Sequence, residues 1–291
     1  MATSRHIFRR RIRGVTETAK VTRAMEIIAS TRMKRTQQRA LDARPYASRL
    51  SQLMRRVVGE RRMRREHPWL HSSEAGHVLV VHMTTDKGLC GGLNSRLNAL
   101  LAQFILEQGV TVDVVTVGRK GREFAVRARL NLLAEFSGLG DSPSIAELRP
   151  LCRLVTDMFT RGEIDTVYLC YPRFVSVMVQ HPQTERLMPL DLIATEVVSG
   201  QEFLYEPDAD RVLDELLTRY VEASIYHGYL ELVASEYSAR MVAMHNATDS
   251  ARELAEDMTI EMNKSRQAAV TEEICDVSAG ADALLSGGGH G

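Results

Sequence analysis

Apolar or small residues recur near the start of the chain at Ile12, Val15, Ala19, Thr22, Met25, Ala29 and Met33. Gaps of three and four are the period of a helix that buries one stripe. The spacing predicts a long helix from about Ser4 to Arg65, bent or interrupted at Pro45. "EHPWLHSSEAG" reads as a linker. From His77 the texture changes. "HVLVVHMT" and "VTVDVVTVG" predict strands, the second stopped by Gly118. "RLNALLAQFILEQG" predicts a helix ending at Gly109, and "LNLLAEFSGL" is ambiguous, compatible with a strand. "SIAELRPLCRLVTDMFTRG" predicts a helix opened by Ser144 and Glu147 at capping-box spacing, with Pro150 as a complication. "DTVYLCYPRFVSVMVQHPQTERLMPL" holds one or two strands. Alternation of this kind predicts an α/β domain with a mostly parallel sheet over residues 76–206.

From Asp208 to Leu285 there is no proline, and an unbroken helix would be roughly 115 Å long. A heptad frame runs through Leu213, Leu216, Tyr220, Ala223, His227, Leu230, Ala234, Tyr237, Met241 and Met244. It continues through Thr248, Ala251, Ala255, Met258, Met262, Ser265 and Ala269. All but His227, Thr248 and Ser265 are apolar, which is a coiled-coil seam sustained far beyond the minimum. The N-terminal helix is its natural partner. The expected fold is therefore α/β with long helices: an antiparallel coiled coil of the N- and C-terminal helices plus a Rossmann-like α/β foot domain. The expected divisions are 1–66 (first coiled-coil helix), 76–206 (foot), 207–285 (second coiled-coil helix) and 286–291, a disordered tail.

Charge adds one feature. The chain is neutral overall, yet residues 1–66 carry 19 basic and 5 acidic side chains, +14, leaving −14 for the rest. A basic arm can serve nucleic acid, anionic lipid, an acidic protein surface or only solvent. Aromatic residues make up 5% of the chain, so the arm has little with which to stack bases. Cys90, Cys152, Cys170 and Cys275 are far apart and form no C-x-x-C pair, and the histidines show no metal-ligand spacing. No cofactor and no metal is expected. No run is long and apolar enough to span a membrane. "MATSRHIFRRRIRG" is Arg-rich like part of a transit peptide but leads directly into the first helix.

"TTDKGLCGGLNS" (Thr84 to Ser95) invites comparison with phosphate loops, because glycines follow a strand and precede a helix. The order is wrong for a P-loop, since Lys87 precedes Gly88, Gly91 and Gly92, and G-x-G-x-x-G is absent. A tight strand-to-helix turn with Asn94 or Ser95 near the cap is the plainer reading.

Three blocks carry a resemblance: "KVTRAMEIIASTRMKRTQQRA" (Lys20 to Ala40), the "TTDKGLCGGLNS" loop, and "SEYSARMVAMHNATDSARELAEDMTIEMNKSRQAAVTEEI" (Ser235 to Ile274). In this order they resemble the gamma subunit of F-type ATP synthases, over nearly the whole chain. The resemblance implies a rotating central stalk without a catalytic site. Its partners would be alpha and beta subunits (3:3:1 with gamma), an epsilon subunit and a ring of c subunits. Nucleic acid is not expected, and membrane association would come through the complex only, at the cytoplasmic face of a bacterial plasma membrane. It also implies contacts with the alpha/beta ring at Lys20, Arg23, Met25, Arg266, Gln267 and Thr271. Asp86, Lys87 and Gly91 would lie in the foot beside the c ring and epsilon. Met25 also fits the helix stripe, so seam and contact both stand open for it. "ICDVSAGADALLSGGGHG" departs from the family's usual ending at Cys275 and Asp276, and no cysteine-bearing insert precedes the last helix. A variant, sodium-pumping F-type ATPase working mainly in hydrolysis is the alternative within the family. Outside it stand a nucleotide-binding enzyme with helical arms and a coiled-coil adaptor.

Overall fold

The computed structural model describes residues 2–59, 68–70, 76–190, 206 and 208–287. Most of the expected linker after Glu66, the connection over 191–205 and the end of the expected tail lie outside the described residues. The elements are α1 (Ala2–Gly59), a short 3-10 turn (Pro68–Leu70), β1 (His77–Met83), α2 (Leu93–Gln108) and β2 (Thr111–Val117). They continue with α3 (Arg119–Arg127), β3 (Asn131–Phe136), α4 (Ile145–Thr160), β4 (Thr166–Phe174), β5 (Gln180–Met188) and α5 (Ala209–Gly287). The chain divides into two compact units, residues 28–242 and residues 1–27 with 243–291.

The larger unit is built on one sheet with strand order β3-β2-β1-β4-β5. The first four strands are parallel and β5 returns antiparallel on β4. Alternation along the strands divides the core. Val78, Val80, Val112, Val114 and Cys170 face α2 through Leu93, Leu97, Leu101 and Phe104. Leu79, Val81, Met83, Val115, Val117, Leu169 and Tyr171 face α4 and the first half of α5, joined by Ala29 and Met33 of α1. Helices thus cover both faces, as a parallel sheet requires. Between Val221 and Ser235 nearly every residue of α5 is buried. That stretch packs on the sheet and on α1 at once, so it buries far more than the heptad stripe.

Neither proline interrupts its helix. α1 runs without a break through Pro45, and α4 through Pro150. Each proline removes one helix bond, but Pro45 and Leu41, like Pro150 and Ala146, lie on exposed sides where water can take the freed carbonyl. The α2 stop at Gly109, in the left-handed region at φ 63°, matches the sequence. At α4 the Glu147 carboxylate accepts the Ser144 N–H at 2.6 Å and its hydroxyl at 2.9 Å.

In the smaller unit α1 and α5 run antiparallel, Thr22 opposite Thr248 and Glu26 opposite His245. The α5 seam follows the predicted frame: Met244 and Thr248 are buried, and Ala251, Ala255, Met258 and Met262 are half-buried among exposed neighbours, while Ser265 is exposed. On α1 the stripe is Phe8, Ile12, Val15, Ala19, Thr22 and Glu26. Glu26, not Met25, holds the seam position. Its carboxylate can sit there because Arg23 lies at 2.6 Å and His245 at 3.3 Å. Met25 is turned outward, 36% exposed.

Candidate functional site

In a doubly wound sheet, ligands bind outside the carboxyl ends of the strands, near the point where strand order reverses. Here the loops after β1, β2 and β3 meet at those ends around a cleft of about 430 Å³. Close approach shapes it. Gly118, which ends β2, has φ 91°, and a Cβ there would lie 2.1 Å from the Thr84 carbonyl oxygen. Thr84 Oγ1 accepts the Gly121 N–H at 2.6 Å. Asp86 then closes the start of α3: its carboxylate accepts the N–H groups of Arg119 at 3.1 Å and Gly138 at 2.9 Å. The start of α3, where an anion is favoured, is therefore met by a side chain of this protein.

The glycine-rich loop is tied to itself. The Thr85 hydroxyl donates to the Lys87 carbonyl at 2.6 Å, and Asn94 accepts the Thr85 N–H at 3.2 Å while donating to Thr85 Oγ1 at 2.8 Å. Asn94 lies near the start of α2, as expected, but is not the cap. The cap residue is Gly92, with no side-chain bond, and Asn94 folds the loop back from inside the first turn. Leu89 takes φ 63° and Gly91 φ 58°. Cys90 is buried, and burial raises its thiol pKa, so it packs as a protonated group.

The far wall comes from the long helices. Arg240 donates to the Gly88 carbonyl at 3.2 Å and the Lys87 carbonyl at 3.4 Å, and pairs with Glu236 at 2.7 Å. Burial pushes the Glu236 carboxyl up, opposed by Arg240. Arg32 of α1 reaches Asp141 at 2.7 Å and the Tyr237 hydroxyl at 3.0 Å, and that hydroxyl also bonds Asp141. Tyr229 donates to the Gly140 carbonyl at 2.6 Å. Arg32 and Arg240 lie over the Tyr237 ring at 5.9 and 5.7 Å. The polar groups of the crevice thus satisfy one another, and the cleft works as a joint between the sheet's loops and the two helices.

The residues singled out from sequence fall into three groups. Lys20 and Arg23 are exposed on α1, in i,i+3 pairs with Glu17 at 2.9 Å and Glu26 at 2.6 Å, with Met25 beside them. Arg266, Gln267 and Thr271 are exposed on α5. Asp86, Lys87 and Gly91 share the loop after β1, but only Lys87 and Gly91 are exposed there, since the Asp86 carboxylate is used internally. Sequence reasoning assigned nothing to Arg32, Asp141, Glu236 or Arg240, and gave Tyr237 only a seam position. Glu236 and Arg240 were visible as an i,i+4 pair, but their loop partners lie some 150 positions away.

A last feature is apolar. Thr22 opposite Thr248 puts the start of α1 level with about residue 268 of α5, and α5 continues to Gly287. Past that level, Val270, Ile274 and Val277 form a stripe at helical spacing, 45%, 63% and 74% exposed.

Fold and crevice together define a class: a doubly wound α/β body whose crevice at the carboxyl ends of the strands is closed by side chains of two long helices. Residues 4–284 match the family model described as ATP synthase. The ATP synthase gamma chain of Dehalococcoides mccartyi is 44% identical over 281 residues, 96% of this chain and 98% of the relative. That of Herpetosiphon aurantiacus is 40% identical over 298 residues, 98% and 99% of the two chains. Among solved structures, a chain of the central stalk and c-ring of Tetrahymena thermophila mitochondrial ATP synthase superposes with a TM-score of 0.61 at 25% identity. The match covers 78% of this chain and 99% of that one. A chain of the Euglena gracilis mitochondrial enzyme gives 0.69 at 15% identity over 100% and 98%, a likeness of fold. The chain belongs to the ATP synthase family, among its gamma chains.

Proposed function

We propose that this chain is the rotating central stalk of an F-type ATP synthase, coupling ion flow through a membrane sector to ATP synthesis or hydrolysis on an alpha/beta ring. The observation that carries the reading is the Val270–Ile274–Val277 stripe. A helix that leaves three large apolar side chains uncovered at its end, beyond its own partner helix, fits a sleeve supplied by other subunits. Three alpha and three beta subunits would form that sleeve, with Arg266, Gln267 and Thr271 on the same stretch of helix. Lys20, Arg23 and outward-facing Met25 would meet the moving parts of the beta subunits. A shaft can bias three identical subunits differently only if its contacts differ around the axis. The antiparallel pair provides this, since α1 is rich in basic residues and α5 in acidic ones. Exposed Lys87 and Gly91 would face the c ring and epsilon, with Asp86 holding their loop. The complex would hold the chain at the cytoplasmic face of a bacterial membrane. Among the described residues no helix is long and apolar enough to cross one.

The test is reconstitution with the alpha and beta subunits of the same organism. A 3:3:1 complex whose steady ATP hydrolysis requires this chain is expected. Replacing Val270, Ile274 and Val277 by serine should leave the isolated chain folded and weaken its retention in the ring. Failure of folded partners to assemble with the wild-type chain would refute the proposal.

A further inference from the structure

β1 pairs with β4 only as far as Cys170, so the last residues of β4 have no strand on that edge. Two helices supply what is missing. Glu231 of α5 accepts the Phe174 N–H at 2.7 Å, and Arg44 of α1 donates to the Phe174 carbonyl at 2.8 Å. The two side chains close the ring between them, Arg44 Nε to Glu231 Oε1 at 2.9 Å. Both backbone groups of one strand residue are thus held by an ion pair whose members come from different helices. The carboxylate is 1% exposed. Ala40, Phe174, Leu230 and Ala234 pack around it as a small apolar cluster.

Such a site is costly in a core, where apolar residues of similar volume are often as good or better for stability. What apolar packing lacks is direction: it resists separation, whereas charge-assisted bonds of fixed geometry also resist sliding and twisting. We propose that the Arg44–Glu231–Phe174 ring is a torque clamp: it transmits twist of α5 about its axis to the sheet, and Arg44 and Glu231 are positioning residues for rotary coupling. The proposal rests on the stalk reading above. Load entering along α5 has to reach the sheet through contacts inside the larger unit. The clamp grips strand backbone, so it loads the sheet itself instead of a surface loop.

The experiment uses the alpha/beta/gamma complex, immobilised through its ring, with a bead on the sheet-bearing unit through Leu106→Cys in a Cys275→Ser background. Leu106 is 83% exposed on α2, well suited to carry a label. ATP-driven rotation of the wild-type bead tests the stalk reading; absence of rotation defeats that reading, and with it the premise of the clamp. With rotation established, the width of the angular fluctuations between steps gives the torsional stiffness. In Glu231→Gln an amide replaces the carboxylate, and neutral bonds are about half as strong. Stiffness should therefore fall about twofold, and steps should fail more often under a large bead, while unloaded hydrolysis stays near wild type. Arg44→Lys keeps the charge without the fork and should fall between. The double variant Arg44→Leu/Glu231→Leu removes both charges and, on the argument above, should remain folded; it decides the matter if a single variant does not assemble. Softening in the double variant supports the clamp. Wild-type stiffness in it, or a loss of unloaded hydrolysis in step with stiffness, overturns the proposal.

Discussion

His82 offers the sharpest test of the core. It stands on β1 with no exposed surface, its Nε2–H donating to Asn98 Oδ1 at 2.9 Å, and its Nδ1 is buried without a partner. Desolvation lowers its pKa to about 4, against the small opposing effect of the Asn98 bond. A base with a depressed folded-state pKa makes the unfolded chain the better proton binder between that value and about 6.5. The neutral core is therefore fully stable above about pH 6.5 and loses stability as pH falls toward about 4. At pH 5 the unfolded imidazole is mostly protonated and the folded one is not, a difference of about 2 kcal/mol, rising to about 3 near pH 4. Urea unfolding of the full chain at pH 7.5 and 5.0 measures it, with carboxylates titrating equally in both proteins compared. His82→Gln has nothing to titrate, so it should lose about 2 kcal/mol less than wild type over that interval. Equal losses in the two proteins would refute the reasoning, as would a His82 imidazole NMR signal, assigned by its loss in His82→Gln, titrating near the ordinary value of about 6.5.

Other expectations follow from single contacts. Gly118→Ala sets a Cβ against the Thr84 carbonyl at a backbone angle reserved for glycine, and should cost upwards of about 3 kcal/mol. Gly92→Ala, with nothing within 4 Å, should change the unfolding free energy by less than about 1 kcal/mol and serves as the control. The Thr22 and Thr248 hydroxyls lie 2.8 Å apart in the seam. Each also reaches a carbonyl of its own helix, Ala19 at 3.1 Å and Met244 at 2.7 Å, so valine at one site leaves the other a partner. A double-mutant cycle should return a coupling of about 0.5 kcal/mol, and none if the seam registers by shape alone.

The legible parts of this protein were those in which one physical demand governs a stretch. The α5 seam is such a case: a single stripe buried against one helix leaves a period that can be read directly, from Met244 to Met262. Val221 to Ser235 is less transparent because sheet and helix bury it from several sides, and burial on all sides has no period. Glu26 escaped notice because a carboxylate does not look like a seam residue until Arg23 and His245 are placed beside it. α3 escaped because "RKGREFAVR" has four basic residues in nine and buries only Gly121 and Ala125, residues small enough to carry no hydrophobic signal. β5, "QHPQTERLM", is an edge strand defined by pairing with β4, and its own residues say little. The loop of Thr84 to Ser95 was legible as a turn. What holds it was not, because Arg240 and Asp86 act on backbone groups that no side-chain pattern records.

The middle of the seam between the start of α1 and the end of α5 is made of small side chains: Ala19, Thr22, Thr248, Ala251 and Ala255. Small residues let two backbones approach closely, but they remove little apolar surface from water, at roughly 25 cal/mol per Å². Local opening free energy is then lowest at this end of the chain and highest in the sheet, where Leu79, Val80 and Val81 have no exposed surface. Amide hydrogens of residues 2–27 and 243–287 should exchange with solvent early in the free protein. In the assembled complex the same amides should become slow, because a surrounding sleeve supplies the burial that the seam lacks. Much of the rigidity a shaft needs at its tip would then belong to the bearing around it.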